Sequence, residues 1–190
     1  MIVTPAREGR MIKRILRVNH AGETGAIKIY GAQMAVARRR YPDIVASLSE
    51  MRKDELRHCA LFRDAMRQRS TRPCRVMSLW SLGGYVLGGV TALMGRNMIW
   101  ICTEAVETTV HQHLLEQLRY LRSRDEALFA TIDSITDEEL AHRDEARERQ
   151  TGRTMFGNVM FRMISGLTAA MIWLSTWGDP SLMIRDLRRS

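Results

Sequence analysis

Two copies of one acidic pattern constrain the fold of this 190-residue chain more than any other feature of its sequence. Each copy holds a glutamate that is followed, 32 positions later, by the glutamate of a Glu-x-x-His motif, and the second copy lies 84 positions after the first. The residues are Glu23, Glu55 and His58 in the first copy and Glu107, Glu139 and His142 in the second. Because residues i and i+3 share one face of a helix, each motif directs its carboxylate and its imidazole to the same side.

The repeated spacing of 32 residues is typical of a helical hairpin with one glutamate on its first arm and the Glu-x-x-His motif on its return arm. Two such hairpins, packed together, bring all six side chains to the centre of a four-helix bundle. A glutamate from each of two helices and a Glu-x-x-His motif from each of the other two is the ligand set of ferritin-like bundles that hold two metal ions. The pattern therefore predicts an all-α, ferritin-like four-helix bundle with a dimetal centre.

The charges of the six side chains favour the same interpretation. Four carboxylates balance two divalent cations, whereas without metal they would repel one another and would be costly to remove from water. A mixed set of oxygen and nitrogen ligands suits iron or manganese better than zinc or calcium. We expect Glu55 and Glu139 to bridge the two ions, with Glu23 and Glu107 each binding one ion.

Each ligand also has an ordinary structural explanation. Glu139 follows Thr136 in a Thr-x-x-Glu sequence that is typical of a helix cap. Glu104 lies one turn before Glu107 and competes with it for the same position, and His142 has acidic neighbours with which it could pair. None of these alternatives explains why the same spacing occurs twice.

The remaining pattern predicts helices throughout. No stretch alternates polar and apolar residues with a period of two, so we expect no strands. Breakers and periodicity predict six helices, of which the fifth is interrupted near Thr136: 12–39, 44–69, 76–93, 97–122, 125–149 and 155–177. We expect one domain over 1–190, in which 11–69 and 97–149 are the two metal-binding hairpins. Three cysteines without a Cys-x-x-Cys pair argue against disulfides and thiolate zinc sites and favour a reducing compartment.

Two segments are apolar enough to meet a membrane. Residues 76–95 carry no charge over 20 residues, and the C-terminal helix 155–178 contains a 16-residue uncharged run. A buried core helix, an element that dips into one leaflet and a full span all remain open. In the second case we expect Trp80, Tyr85 and Trp100 at the headgroup level. The net charge of +8 favours an anionic membrane surface, and the absence of a compact Lys/Arg block argues against nucleic acid.

Local motifs identify a family resemblance. Residues 17–26 (RVNHAGETGA), with Tyr30 and the Gln-Met-Ala of 33–35, resemble the opening signature of the demethoxyubiquinone hydroxylase family. The resemblance covers roughly residues 12–178 and continues through the first Glu-x-x-His motif, Arg72-Pro73, 91–95 (TALMG), 102–107 (CTEAVE) and 137–142 (DEELAH).

This resemblance implies an O2-dependent di-iron monooxygenase, a 3-demethoxyubiquinol 3-hydroxylase of ubiquinone biosynthesis. The substrate would be a 2-methyl-6-methoxy-3-polyprenyl-1,4-benzoquinol. Two iron ions per chain, Fe2+ in the reduced resting form, would be held by the six residues of the repeated pattern. It also implies a homo-oligomer that works with other ubiquinone-biosynthesis proteins.

The implied location is the membrane surface, on the cytoplasmic face of the bacterial cell membrane or the matrix side of the mitochondrial inner membrane. The first residues lack the apolar core of a secretory signal, in agreement with this expectation. Three rivals remain: a di-iron hydroxylase of a tRNA base, a ferritin-like ferroxidase, and a metal-free membrane bundle. The sequence assigns no role to Glu104, His111 or His113.

Overall fold

The computed structural model describes residues 5–176, and these form six α-helices, one short 3-10 helix and no strand. The α-helices are α1 (Pro5–Arg40), α2 (Val45–Gln68), α3 (Met77–Met94), α4 (Arg96–Leu121), α5 (Glu126–Glu148) and α6 (Met155–Ser175), and the 3-10 helix spans Pro42–Ile44. Helices α1, α2, α4 and α5 form the bundle, while α3 packs on α1 and α6 on α4. The prediction of an all-α bundle with two additional apolar helices is confirmed.

The predicted interruption of the fifth helix is wrong. Thr136 lies inside a continuous α5, where its hydroxyl donates to the carbonyl of Ile132 at 2.8 Å, so it is not a helix cap. The helix begins instead after Asp125, whose carboxylate accepts a hydrogen bond from the backbone N–H of Leu128. The predicted end of the sixth helix at 177–178 lies outside the described residues.

Two apolar clusters occupy the two ends of the bundle. Along every bundle helix, the predicted metal ligands lie in sequence between residues of one cluster and residues of the other. The first cluster includes Leu16, Phe62, Leu114, Leu121 and Ile132, and the second includes Tyr30, Leu48, Met51, Ile99 and Trp100. The repeated pattern therefore falls in the middle layer of the core, between two layers that exclude water.

Small residues allow α3 to lie directly on the backbone of α1. A Cβ atom at Gly84 would meet the carbonyl oxygen of Gly25 at 2.3 Å, and one at Gly88 would meet that of Ile29 at 2.3 Å. The chain then turns sharply into α4 at Gly95, whose φ of +129° is a conformation that L side chains rarely adopt.

Helices α3 and α6 present most of their apolar surface outward. Both are long and apolar enough to cross a membrane, with a mean hydropathy of 1.3, and only 28% and 17% of these segments are buried. The alternative of buried core helices therefore does not fit. We call this surface the apolar face; it includes Leu79, Leu82, Val86, Val90 and Leu93 on α3 and Phe156, Val159, Met163, Leu167 and Leu174 on α6.

The aromatic residues expected at headgroup level behave differently from one another. Tyr85 is 60% exposed on α3, as such a position requires. Trp100 is buried in the second apolar cluster, and Trp80 is buried with its indole N–H donating to Ser175 Oγ at 2.8 Å. For both tryptophans the expectation is wrong, because their rings fill the protein interior.

Candidate metal centre

All six residues of the repeated pattern are buried and lie together in the middle of the bundle. Their ligand atoms form two overlapping groups, and within each group these atoms lie within 4.8 Å of one another. One group is Glu23, Glu55, His58 and Glu139, and the other is Glu55, Glu107, Glu139 and His142. Each group thus has its own glutamate and its own histidine, and both share Glu55 and Glu139, the pair expected to bridge.

Both imidazoles turn Nδ1 toward the carboxylates. The Nδ1 atom of His58 lies 2.9 Å from Glu139 Oε1 and 3.9 Å from Glu23 Oε2. The Nδ1 atom of His142 lies 3.5 Å from Glu55 Oε1. Each histidine therefore faces the shared glutamate of the opposite hairpin.

Several of these inward atoms make no hydrogen bond to any described residue. They are Glu55 Oε1, His58 Nδ1, Glu139 Oε1 and His142 Nδ1, one from each residue of the two Glu-x-x-His motifs. Buried polar atoms in folded proteins are nearly always satisfied. Cations placed among four carboxylates and two imidazoles would satisfy all of them, and this donor set fits two iron or manganese ions.

The electrostatics of the cluster also favour a cation. Burial, followed by repulsion from neighbouring carboxylates, raises the pKa of Glu23, Glu107 and Glu139 well above the usual range. Burial also acts to raise the pKa of Glu55, but contacts with His142 and the other ligands hold it below its ordinary value. Burial lowers the pKa of His142, yet Glu55 and Glu107 raise it overall to about 9. In the metal-free protein, protons therefore take over part of the charge compensation.

Two further carboxylates contact the Nε2 atoms of the imidazoles, on the side away from the cluster. The sequence pattern did not reveal them. Glu138 Oε2 lies 2.9 Å from His58 Nε2, and Asp54 Oδ2 lies 3.2 Å from His142 Nε2. Ionised carboxylates only accept hydrogen bonds, so each Nε2–H donates, and in the neutral imidazole each Nδ1 has its lone pair free to bind a cation. An acid directly before the glutamate of both motifs was the signal that could have revealed this pair.

Tyr30 is a third residue that the sequence pattern did not place in the site. Its hydroxyl donates to Glu107 Oε1 at 2.9 Å. Burial, followed by the charge of Glu107, raises the pKa of Tyr30 well above its ordinary value, so the phenol stays protonated. Its position seven residues after Glu23, two turns along the same helical face, was the available signal.

A cavity of about 270 Å3 leads to the carboxylates from the side of the apolar helices. Glu23, Glu55, Glu107 and Glu139 are part of its lining, and the remaining walls come mainly from apolar residues of α1, α3, α4 and α6. This volume is near the lower limit of about 300 Å3 for small-molecule sites. The cluster is thus accessible to a small, mainly apolar ligand.

Comparison with known proteins assigns this chain to a family. The family model described as "Ubiquinone biosynthesis protein COQ7" matches residues 10–175. The chain belongs to the COQ7 family. This confirms the resemblance inferred from residues 17–26 and the later motifs.

Curated relatives of the COQ7 family carry hydroxylase names. The rat protein named NADPH-dependent 3-demethoxyubiquinone 3-hydroxylase, mitochondrial, is 35% identical over 168 residues, covering 86% of this chain and 76% of the relative. The 3-demethoxyubiquinol 3-hydroxylase of Rhodospirillum rubrum is 40% identical over 134 residues, covering 70% and 63%. The yeast 5-demethoxyubiquinone hydroxylase, mitochondrial, is 30% identical over 181 residues, covering 87% and 78%.

The three residues left open by the sequence occupy different places in this COQ7-family member. Glu104 lies outside both ligand groups and pairs with Arg153 and with the amide of Gln150, so it holds the segment between α5 and α6. His113 lines the cavity, whereas His111 belongs to neither the cavity lining nor the ligand groups.

Proposed function

We propose that this protein is an O2-dependent monooxygenase of ubiquinone biosynthesis, a 3-demethoxyubiquinol 3-hydroxylase. It hydroxylates the ring of a 2-methyl-6-methoxy-3-polyprenyl-1,4-benzoquinol. The observation that carries the proposal is a buried cluster of four carboxylates and two imidazoles at the inner end of a mainly apolar cavity. The names of the relatives support the same substrate class.

In this proposal the cluster holds two iron ions per chain, Fe2+ in the reduced resting form. Glu55 and Glu139 would contribute to both sites, Glu23 and His58 would hold one ion, and Glu107 and His142 would hold the other. When bound, the iron supplies the O2 activation that the side chains of the protein do not perform.

The chain itself binds and orients the quinol. The cavity walls exclude water and present apolar surface to the ring, while His113 in these walls offers a hydrogen-bonding group to a ring oxygen. Tyr30 donates to Glu107 and fixes that carboxylate beside the cavity. The polyprenyl tail leaves the slot between α3 and α6 and continues along the apolar face.

We propose a peripheral position on the membrane, with the apolar face in the outer part of one leaflet. The exposed Arg162 lies in the middle of α6, and a charged side chain at the centre of a bilayer is costly. This supports a helix in the interface rather than one that spans it. The location is the cytoplasmic face of the bacterial cell membrane, or the matrix side of the mitochondrial inner membrane.

We propose that residues 1–190 form one di-iron hydroxylase domain. Its hairpins 11–69 and 97–149 bind the metal, and the segments 76–95 and 155–178 meet the membrane. We also propose that the protein forms a homo-oligomer that contacts other ubiquinone-biosynthesis proteins.

A single-turnover assay tests the proposed reaction. Iron-loaded protein in detergent receives a reduced demethoxyubiquinol analogue and 18O2, and mass spectrometry follows the gain of one labelled oxygen atom. We expect the gain in the wild type and in Glu50→Ala, an exposed α2 position paired with Lys53, and its loss in Glu55→Ala. Iron-loaded wild type that gives no labelled product would contradict the proposal, and Fe(II) oxidation without quinol turnover would point to a ferroxidase.

A further inference from the structure

The outer side of the ligand cluster lies between α2 and α5, where one arginine joins two acids. Arg57 is the residue before His58, and its guanidinium contacts Asp54, one turn back on α2, with Nη2 to Oδ1 at 3.2 Å. The same guanidinium forms an ion pair with Glu138 on α5. A single side chain therefore connects the two hairpins across this face.

The two acids held by Arg57 are the carboxylates that hold both histidines. Glu138 on α5 accepts a hydrogen bond from Nε2 of His58 on α2, and Asp54 on α2 accepts one from Nε2 of His142 on α5. The pairing is crossed, so each histidine is oriented by the opposite hairpin. Both imidazoles therefore present Nδ1 to the centre only while both outer carboxylates stay in place.

Apart from Arg57 and the histidines, little holds the carboxylates of Asp54 and Glu138 beside the two imidazoles. The side chains of Asp54 and Glu138 are 37% and 38% exposed, so water competes for them on the open side. They also carry the same charge on facing helices, which favours their separation. Both carboxylates are contacted by Nη2 of Arg57, which the planar guanidinium holds in a fixed geometry, whereas a lysine ammonium is a compact point charge on a flexible stem.

We propose that Arg57 is a positioning residue that orients both histidines of the metal centre through Asp54 and Glu138. The inference rests on the two-metal site of the proposed function. Arg57 is 47% exposed, and exposed ion pairs contribute little to folding stability. Its removal should therefore change metal binding far more than it changes the melting temperature of the metal-free protein.

The test is anaerobic Fe(II) binding to the full chain in competition with a chromogenic chelator, at a temperature well below melting. The variants are Arg57→Gln, Arg57→Lys and the matched control Arg67→Gln. Arg67 and Asp64 form an i,i+3 pair on the same helix at the same 3.2 Å, but neither belongs to the ligand groups. We expect about tenfold weaker affinity in Arg57→Gln, the lower end of the range for loss of an outer partner. Arg57→Lys should lie between it and the wild type, and Arg67→Gln should stay within about twofold of the wild type.

The ligand-field spectrum of bound Fe(II) gives a second readout that general destabilisation does not move. We expect a shifted spectrum in Arg57→Gln and an unchanged one in Arg67→Gln. Equal affinity and equal spectra in these two variants would overturn the role of Arg57. Wild type that binds iron but yields no hydroxylated quinol would overturn the proposed reaction alone, because this test requires no quinol.

Discussion

The ligand cluster is enclosed by two sides that are built from different interactions. On the α2/α5 side, charged groups hold the histidines from the opposite hairpin, and the groups reach the solvent. On the α1/α3 side, glycines bring backbones into contact, and a mainly apolar cavity reaches the carboxylates. The polar side therefore controls the direction of ligand atoms, while the apolar side controls the shape of the space beside them.

Removing the metal should have the largest effect, because it leaves both sides facing uncompensated carboxylates. A ligand present at a thousandfold excess over its dissociation constant stabilises a fold by about 4 kcal/mol. For a chain of this size, that corresponds to a fall in melting temperature of about 8–16 °C on chelation. Differential scanning calorimetry of iron-loaded and chelated protein measures it. Identical melting temperatures would contradict a buried metal cluster.

The next largest effect tests the apolar side through neighbouring glycines. In Gly84→Ala the new methyl group meets the Gly25 carbonyl, and we expect a loss of about 3 kcal/mol. At Gly83, apart from the neighbouring backbone of its own helix, no atom in the part of the chain that the structure describes lies within 4 Å of the added methyl. Gly83→Ala should therefore be neutral or up to about 1 kcal/mol stabilising. Urea unfolding in detergent compares the two variants, and equal losses would contradict the close contact between α1 and α3.

The stability of the metal-free protein should depend on pH differently from that of the iron-loaded protein. Glu23, Glu107 and Glu139 have raised pKa values in the fold, and that of His142 is raised to about 9. Groups whose pKa is higher in the folded state bind protons more tightly there, so folding gains stability as the pH falls. The His142 contribution is complete below its unfolded pKa of about 6.5 and disappears as the pH rises through about 9.

We therefore expect the melting temperature of the metal-free protein to rise by several degrees between pH 9 and pH 6.5. The iron-loaded protein should show the opposite trend on acidification, because protons compete with metal for the ligands. Thermal melts across this range measure both trends. Parallel pH profiles for the two forms would contradict metal binding by the groups whose pKa values are raised.

The smallest effect concerns the hydrogen bond from Tyr30 to Glu107, a polar contact that orients a carboxylate on the apolar side of the cluster. Tyr30→Phe removes the donor to Glu107 and keeps the ring in its apolar cluster. We expect a loss of about 1 kcal/mol in stability, and a comparable loss at the transition state gives about fivefold slower turnover. Steady-state kinetics with a Tyr85→Phe control, an exposed tyrosine on α3, tests this. Unchanged turnover would show that Tyr30 only fills space.

The sequence determined the helical fold and the set of candidate ligands. Helical periodicity is local, so Glu55 and His58 must share a face wherever the helix lies. The repeated spacing then brought the second motif to the same layer. Outer partners were harder to predict, because Asp54 serves the histidine of α5 rather than that of its own helix. Such a pairing depends on how the hairpins face each other.

The burial of individual residues likewise depended on packing between helices. The repeated spacing favoured Glu107 over Glu104 as a candidate ligand, and only the structure showed that Glu104 pairs with Arg153. Sequence alone did not distinguish Trp80, which is buried against Ser175, from the exposed Tyr85. These residues differ by one or two helical turns and have similar chemistry. The sequence by itself thus determined the fold class, the repeated ligand pattern and the family. Only the tertiary structure decided which side chains meet, because contacts between distant helices depend on their relative rotation, and local periodicity does not specify it.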